Sequence, residues 1–293
     1  MISKMIVNKY FYEYSKEELA DRVSISSIDR SSYMTSVYMD KFSKKLRKVK
    51  LTGRTAVLYA AGTTIALGES RNYSGDYSCS LNNEDSAVAL KDSTGYMLHK
   101  YIGKLVSNGC DIVYANINSN TCASSMHSLY EAEDLLSNNR VDNVVIISEE
   151  KTSHSTLRVF AEMGISSKPS DGFACMVLSR GGKGIKITDT KWEYEYNRNP
   201  FGTTKDGYSK LLCDADSVKV HGTGTDNNTF AESIFKNQIE YKSKIGHAQG
   251  ASGLLEVCML IDDDNVHGDI LCVASGLGGF YGGCKVHKPV RRV

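Results

Sequence analysis

Short runs rich in β-branched residues alternate along the chain with stretches whose apolar residues fall three and four apart. A chain patterned this way folds as helices layered on sheet. Strands are predicted at 55–61, 110–116, 143–148, 173–179, 185–193, 217–221, 269–274 and 283–286, and helices at about 31–48, 88–105, 122–136, 229–240 and 248–261. In the third helix Met126, Leu129 and Tyr130 fall on one face. With only three prolines few elements are forcibly broken. The polar stretch 197–205, which holds Pro200, reads as the joint between two α/β halves, residues 1–196 and 197–293.

At 293 residues and 41% hydrophobic content the chain can bury a large core. Its 35 basic and 34 acidic side chains nearly cancel, which removes the single-sign field expected of a nucleic-acid or anionic-membrane binder. The eight cysteines lie far apart, with no C-x-x-C pair and no Cys/His cluster at zinc-finger spacing. Reduced thiols in a cytoplasmic protein without a metal are therefore expected. Residues 1–14 lack the pattern of a signal peptide, and no apolar run reaches the length of a membrane span.

Three segments carry chemistry. Asn120-Thr121-Cys122-Ala123-Ser124-Ser125 follows a predicted strand and opens a predicted helix, so Cys122 stands at a helix N-terminus, where the dipole and free N–H groups favour thiolate. His221-Gly222-Thr223-Gly224-Thr225 begins where another strand ends, in a loop that lets backbone and hydroxyls approach a ligand. Lys242 precedes a second histidine, His247, which is followed by small residues at a helix start. A lone cysteine is more often a small buried hydrophobe, and a lone histidine more often a satisfied structural residue. Core packing does not readily produce all three, each at an element boundary among glycines.

These segments, with Gly278-Gly279-Phe280-Tyr281-Gly282-Gly283, resemble the β-ketoacyl-acyl carrier protein synthases, in the branch that uses one cysteine and two histidines. The resemblance implies a thiolase-like fold of two related halves in α-β-α-β-α layers. It implies an acyltransferase that joins an acyl thioester to malonyl-acyl carrier protein by decarboxylative Claisen condensation. Cys122 would carry the acyl group, His221 and His247 would assist decarboxylation, and Lys242 would organise the second histidine. Glu232 matches an acid that pairs with the lysine region, and Thr223 and Thr225 match threonines of the phosphopantetheine channel. Either Tyr281 or Phe280 matches the gating phenylalanine of the family's Gly-Phe-Gly-Gly. No cofactor is implied beyond the phosphopantetheine of the carrier protein or coenzyme A. The implied partners are an acyl carrier protein and a second subunit, identical or related.

Departures from the family are reduced connections before Cys122, around 166–171 and between the histidine motifs, Thr229 after Asn228 in place of an aspartate, and Lys285 where asparagine is usual. The competing readings are acyl transfer without condensation, a silent partner subunit, and a scaffold. The run Lys44-Lys45-Leu46-Arg47-Lys48-Val49-Lys50 reads as a solvated helix end or as a docking patch for an acidic carrier. Acyl-chain length and pathway are not written in the sequence.

Overall fold

The structure is a computed structural model, and residues 4–15, 38–47, 51–62, 94–152 and 160–289 are described. Among the described residues ten strands form one sheet: β1 (Met5–Ser15), β2 (Arg54–Ala60), β3 (Asp111–Asn118), β4 (Asn143–Glu150), β5 (Asp171–Ser179), β6 (Ile185–Tyr194), β7 (Ser217–Lys219), β8 (Gln238–Ile239), β9 (Gly268–Gly276) and β10 (Phe280–Lys288). The helices are α1 (38–46), α2 (Thr94–Ser107), α3 (Ser124–Ser137), α4 (Lys205–Ser209), α5 (Asp226–Glu232), α6 (Lys242–Ile245) and α7 (Ser252–Asp262).

The strand order is β3-β2-β4-β5-β1-β6-β10-β9-β7-β8. Read outward from its centre, the second half (β6-β10-β9-β7-β8) repeats the first (β1-β5-β4-β2-β3) with every strand number raised by five. The halves meet where Met5, Ile6 and Val7 pair antiparallel with Ile187, Lys186 and Ile185. In each half the second, third and fourth strands run parallel and the fifth joins antiparallel. The topological break therefore falls in the glycine-rich link between β5 and β6, residues 180–184, and not at 197–205. That polar stretch lies inside the second repeat, between β6 and α4.

The layers follow from what each element buries. Parallel strands covered on both faces lose the alternation of a half-exposed strand, and β4 is buried at every position. Helices α3 and α7 lie between the half-sheets. One core cluster joins Met126, Leu129, Leu135, Leu254, Leu255 and Val257 of these helices to strand residues of both halves, such as Ile146 and Met176 on one side and Ile270 and Cys284 on the other. A second cluster packs Tyr38, Phe42 and Leu46 of α1 and Met97 and Tyr101 of α2 on the outer face of the first half. A third packs Tyr208 and Ala231 on the outer face of the second. The result is helix, sheet, helix, sheet, helix, as the resemblance implied.

The predicted strands are present, each lengthened or trimmed by one to three residues at one or both ends. β1 and β8 were not predicted, nor were α4 and α6. The stretch 229–240 is no single helix: α5 ends at Glu232 and the chain is extended at Gln238–Ile239. Tyr130 does not join Met126 and Leu129 in the core, being 42% exposed. The predicted helices at 31–48 and 88–105 begin outside the described residues, as does the end of the basic run at 48–50. Within that run Lys44 pairs with Asp40 at 2.5 Å across one turn of exposed helix.

Candidate active site

Each half carries the same device beside its chemical groups, a single 3₁₀ turn that opens a central helix. In the first half the turn Thr121–Ala123 leads into α3, and in the second Gln249–Ala251 leads into α7. Both turns begin on a residue with positive φ, 52° at Thr121 and 37° at Gln249. A side chain there is strained, and such strain persists only where the surroundings over-determine it. They do so at Thr121. Ser124 Oγ donates to the Ala61 carbonyl at 2.8 Å and accepts from the Asn120 N–H at 2.8 Å. His127 Nδ1 meets Asn120 Oδ1 at 2.7 Å while its ring stacks on Trp192 at 4.2 Å. Glu131 takes Tyr114, Asn116 and Asn118 from one face of β3, which fixes α3 against the strand that precedes the turn.

The two turns also touch. Ser125 Oγ donates to the Gly250 carbonyl at 2.6 Å and accepts from the Leu254 N–H at 3.1 Å. A Cβ on Gly250 would sit 2.2 Å from the Gly62 nitrogen, and one on Gly276 would sit 2.4 Å from the Asn120 carbonyl oxygen. Only glycine permits these approaches.

At this meeting point Cys122 Sγ and a nitrogen of each of His221 and His247 lie within 4.8 Å of one another. The imidazole rings stand edge to face, 5.3 Å apart. His247 is held on both sides of its backbone, its N–H donating to the Lys168 carbonyl at 2.7 Å and its carbonyl accepting from Ser170 at 3.2 Å. Its Nδ1 meets Ser252 Oγ at 3.0 Å. His247 Nε2 and His221 Nδ1 are buried without a hydrogen-bond partner. Buried polar atoms without partners are costly, and here both belong to the residues around one thiol.

Burial drives the imidazoles' pKa values well below the ordinary histidine value, helped by the nearby Lys242 ammonium, so both rings are neutral at pH 7. Burial likewise pushes the Cys122 thiol up to about 12; Lys242 opposes this, and Glu150 and Glu256 add to it. The resting group is thus a thiol, contrary to the thiolate expected from a helix N-terminus. The nucleophile stands in the 3₁₀ turn before α3, largely shielded from water, and desolvation outweighs the dipole.

A cavity of about 280 Å³ opens onto these groups. Its lining combines apolar side chains, Phe160, Met163, Ile165, Phe201 and Leu277, with polar ones, Thr203, Thr223, Thr225, Asn227 and Asn228. Thr223 and Thr225, singled out from the sequence, both line it. Phe280 and Tyr281 do not. Phe280 stacks on Trp192 at 5.7 Å, and Tyr281 is buried against Tyr208 with its hydroxyl accepting from the Thr204 N–H at 2.9 Å. Ser275 and Gly276 at the end of β9 line the cavity, and from the loop that follows so does Leu277. The leucine was not singled out from the sequence. Its signal was Gly276-Leu277-Gly278-Gly279, the family's glycine spacing four residues earlier with leucine in the aromatic position.

Glu232 also differs from expectation. It forms no ion pair with Lys242. Its Oε1 accepts the N–H groups of His221 at 2.7 Å and Gly222 at 3.0 Å, anchoring the histidine loop. The acid on Lys242 is Glu256, at 2.5 Å, which also binds Lys219 at 2.6 Å. Neither Glu256 nor Lys219 was singled out from the sequence, since each stands between apolar residues, Lys219 in the strand ahead of the His221 motif and Glu256 inside α7. Lys285 pairs with Asp189 at 2.8 Å; with the glycine motif at 276–279 it no longer falls in the place of the family's asparagine.

No protein-family model and no curated protein matches the chain. Solved structures do match. One is a type II polyketide ketosynthase described in complex with its acyl-carrier protein and a hexaketide (TM-score 0.72, 13% identity, 98% of this chain and 100% of that one). Another is a β-ketoacyl synthase from Burkholderia phymatum STM815 (TM-score 0.69, 12% identity, 98% and 100%). A third is the ishigamide ketosynthase/chain length factor (TM-score 0.69, 12% identity, 98% and 100%). The chain has the ketosynthase fold, a thiolase-like α/β architecture. No described helix is long and apolar enough to cross a membrane.

Proposed function

We propose that the protein is a β-ketoacyl synthase. The observation that carries this reading is the meeting of one thiol with two neutral imidazoles, each bearing an unpartnered buried nitrogen, at a cavity lined by both apolar and polar side chains. A silent subunit or a scaffold has no use for that arrangement.

In the proposed reaction Cys122 sulfur bonds to the carbonyl carbon of an acyl thioester, the carbon–sulfur bond to the carrier breaks, and the cysteine proton leaves with the carrier thiol. A malonyl thioester then occupies the cavity, where Thr223 and Thr225 face the amides of its phosphopantetheine. Loss of carbon dioxide leaves its electron pair as an enolate, whose oxygen accepts hydrogen bonds from His221 and His247. Neutral N–H donors in a dry site act where negative charge develops and are worth far more than in water. The enolate carbon attacks the acyl carbon, the bond to Cys122 sulfur breaks, and the sulfur regains a proton. Lys242 and Glu256 hold the charge behind the histidines. The acyl donor is a carrier-protein or coenzyme A thioester, and the second subunit is a copy of this chain or a related one.

The test is intact-protein mass spectrometry after incubation with acyl-carrier protein. Wild type should gain one acyl mass and Cys122→Ala none; equal labelling of both would refute Cys122 as the acyl acceptor.

A further inference from the structure

Three charged side chains with almost no exposure form a cluster behind the two histidines. Lys219 (0% exposed) comes from β7, Lys242 (2%) from α6 and Glu256 (1%) from α7. Glu256 gives one carboxylate oxygen to each ammonium, Oε2 to Lys219 at 2.6 Å and Oε1 to Lys242 at 2.5 Å, and Lys219 also donates to the Val273 carbonyl at 3.0 Å. A buried lysine needs one carboxylate, and Lys242 would have it without Lys219. Enclosing a second ammonium carries a large desolvation penalty, and the fold accepts it two residues before His221.

We infer that Lys219 is a positioning residue for the reaction at Cys122, dividing the Glu256 carboxylate so that the charge of Lys242 stays uncompensated toward Cys122, His221 and His247. This rests on the reading of Cys122 as the nucleophile. With a single partner, Glu256 would close on Lys242 and the pair would be electrically silent. Shared, it leaves the ammonium free to favour negative charge on sulfur and on an enolate oxygen, at an effective dielectric far below that of water.

The other charged or titratable groups around the cluster are accounted for. Glu232 on α5 spends its carboxylate on the backbone N–H groups of His221 and Gly222. Glu150, at the end of β4, spends its own on Gly62 and Gly250. Cys272 on β9 is a buried thiol. Burial opposes the charge on Lys219, but Glu256, with Cys272 and Glu232, holds its pKa above the ordinary lysine value. Lys242 is the leading electrostatic influence lowering the pKa of Cys122, His221 and His247 alike, and Lys219 adds to it at both histidines.

The experiment uses Lys219→Met, which keeps the apolar stem and drops the charge, alongside Lys219→Arg, which keeps the charge. The pH profile of Cys122 alkylation by iodoacetamide and the NMR titration of the two histidines are read for each. In Lys219→Met the alkylation profile should move up by about one pH unit, about tenfold slower at fixed pH, and both histidines should titrate at higher pH. Lys219→Arg should track wild type. A folded Lys219→Met with both readouts unchanged would show a structural lysine only and overturn the inference. In case neither variant folds, lysine ammonium NMR on the wild type at pH 8 decides: a charged Lys219 upholds the inference, and a neutral Lys219 overturns it. None of these readouts requires condensation, so a wild type that alkylates as described but never condenses refutes the ketosynthase reading alone.

Discussion

Glu150 closes β4 beside the nucleophile turn, where its carboxylate accepts the N–H groups of Gly62 at 2.7 Å and Gly250 at 3.3 Å. Burial raises its pKa from 4.5 to about 7, against the pull of those two N–H groups. A carboxyl whose folded pKa lies above its unfolded value stabilises the fold fully below the unfolded pKa and loses that contribution as pH rises through the folded one. The displacement from 4.5 to about 7 is worth about 3 kcal/mol at 1.36 kcal/mol per pH unit. Glu150→Gln keeps the shape and an oxygen able to accept both N–H groups, and it cannot ionise. Urea unfolding at pH 4.5, 6, 7 and 8 should therefore show the variant gaining on wild type across this window, by about 3 kcal/mol between the ends. Since the ionised Glu150 also raises the Cys122 pKa, the variant's cysteine should alkylate faster at pH 8. A difference in stability that does not change with pH would refute the reasoning.

Gly276→Ala would bring a Cβ to 2.4 Å from the Asn120 carbonyl oxygen and 2.5 Å from Thr121 Oγ1, displacing the cysteine turn; acylation of Cys122 should slow by about 100-fold while circular dichroism stays native. Ser252→Ala removes the partner of His247 Nδ1 at 3.0 Å, and kcat for condensation should fall about five- to tenfold with KM little changed, the value of one hydrogen bond of about 1 kcal/mol. Leu129→Ala empties a fully buried site between the half-sheets and should cost about 2–5 kcal/mol in urea unfolding.

Much of this protein is legible from its sequence because its parallel strands are continuous β-branched runs, and because the catalytic-type residues stand at element ends among glycines. β1 was hidden by its composition: Met5–Ser15 mixes three tyrosines with Asn8, Lys9 and Glu13, and its place beside β5 and β6 is a tertiary fact. β8 is two residues long and has no pattern to read. The site shows the same division. Cys122, His221, His247, Thr223 and Thr225 converge on one cavity and were visible through local motifs. Leu277 was missed because two overlapping glycine patterns compete between residues 276 and 283. Glu256 and Lys219 were missed because burial, not motif, gives them meaning. The state of the thiol could not be read at all, since the helix dipole is a local property of sequence and desolvation is not.

The account stands or falls on whether the two histidines act after Cys122 is loaded. Wild type, His221→Ala and His247→Ala should each be charged with an acyl group from carrier protein, then mixed with malonyl-carrier protein, with product thioesters followed by mass spectrometry. Wild type should convert its acyl adduct into a β-ketoacyl product with release of carbon dioxide. Each histidine variant should keep its adduct and form product about 10²- to 10⁴-fold more slowly. Product formed at the wild-type rate without either histidine, or an adduct that wild type never discharges, would contradict it.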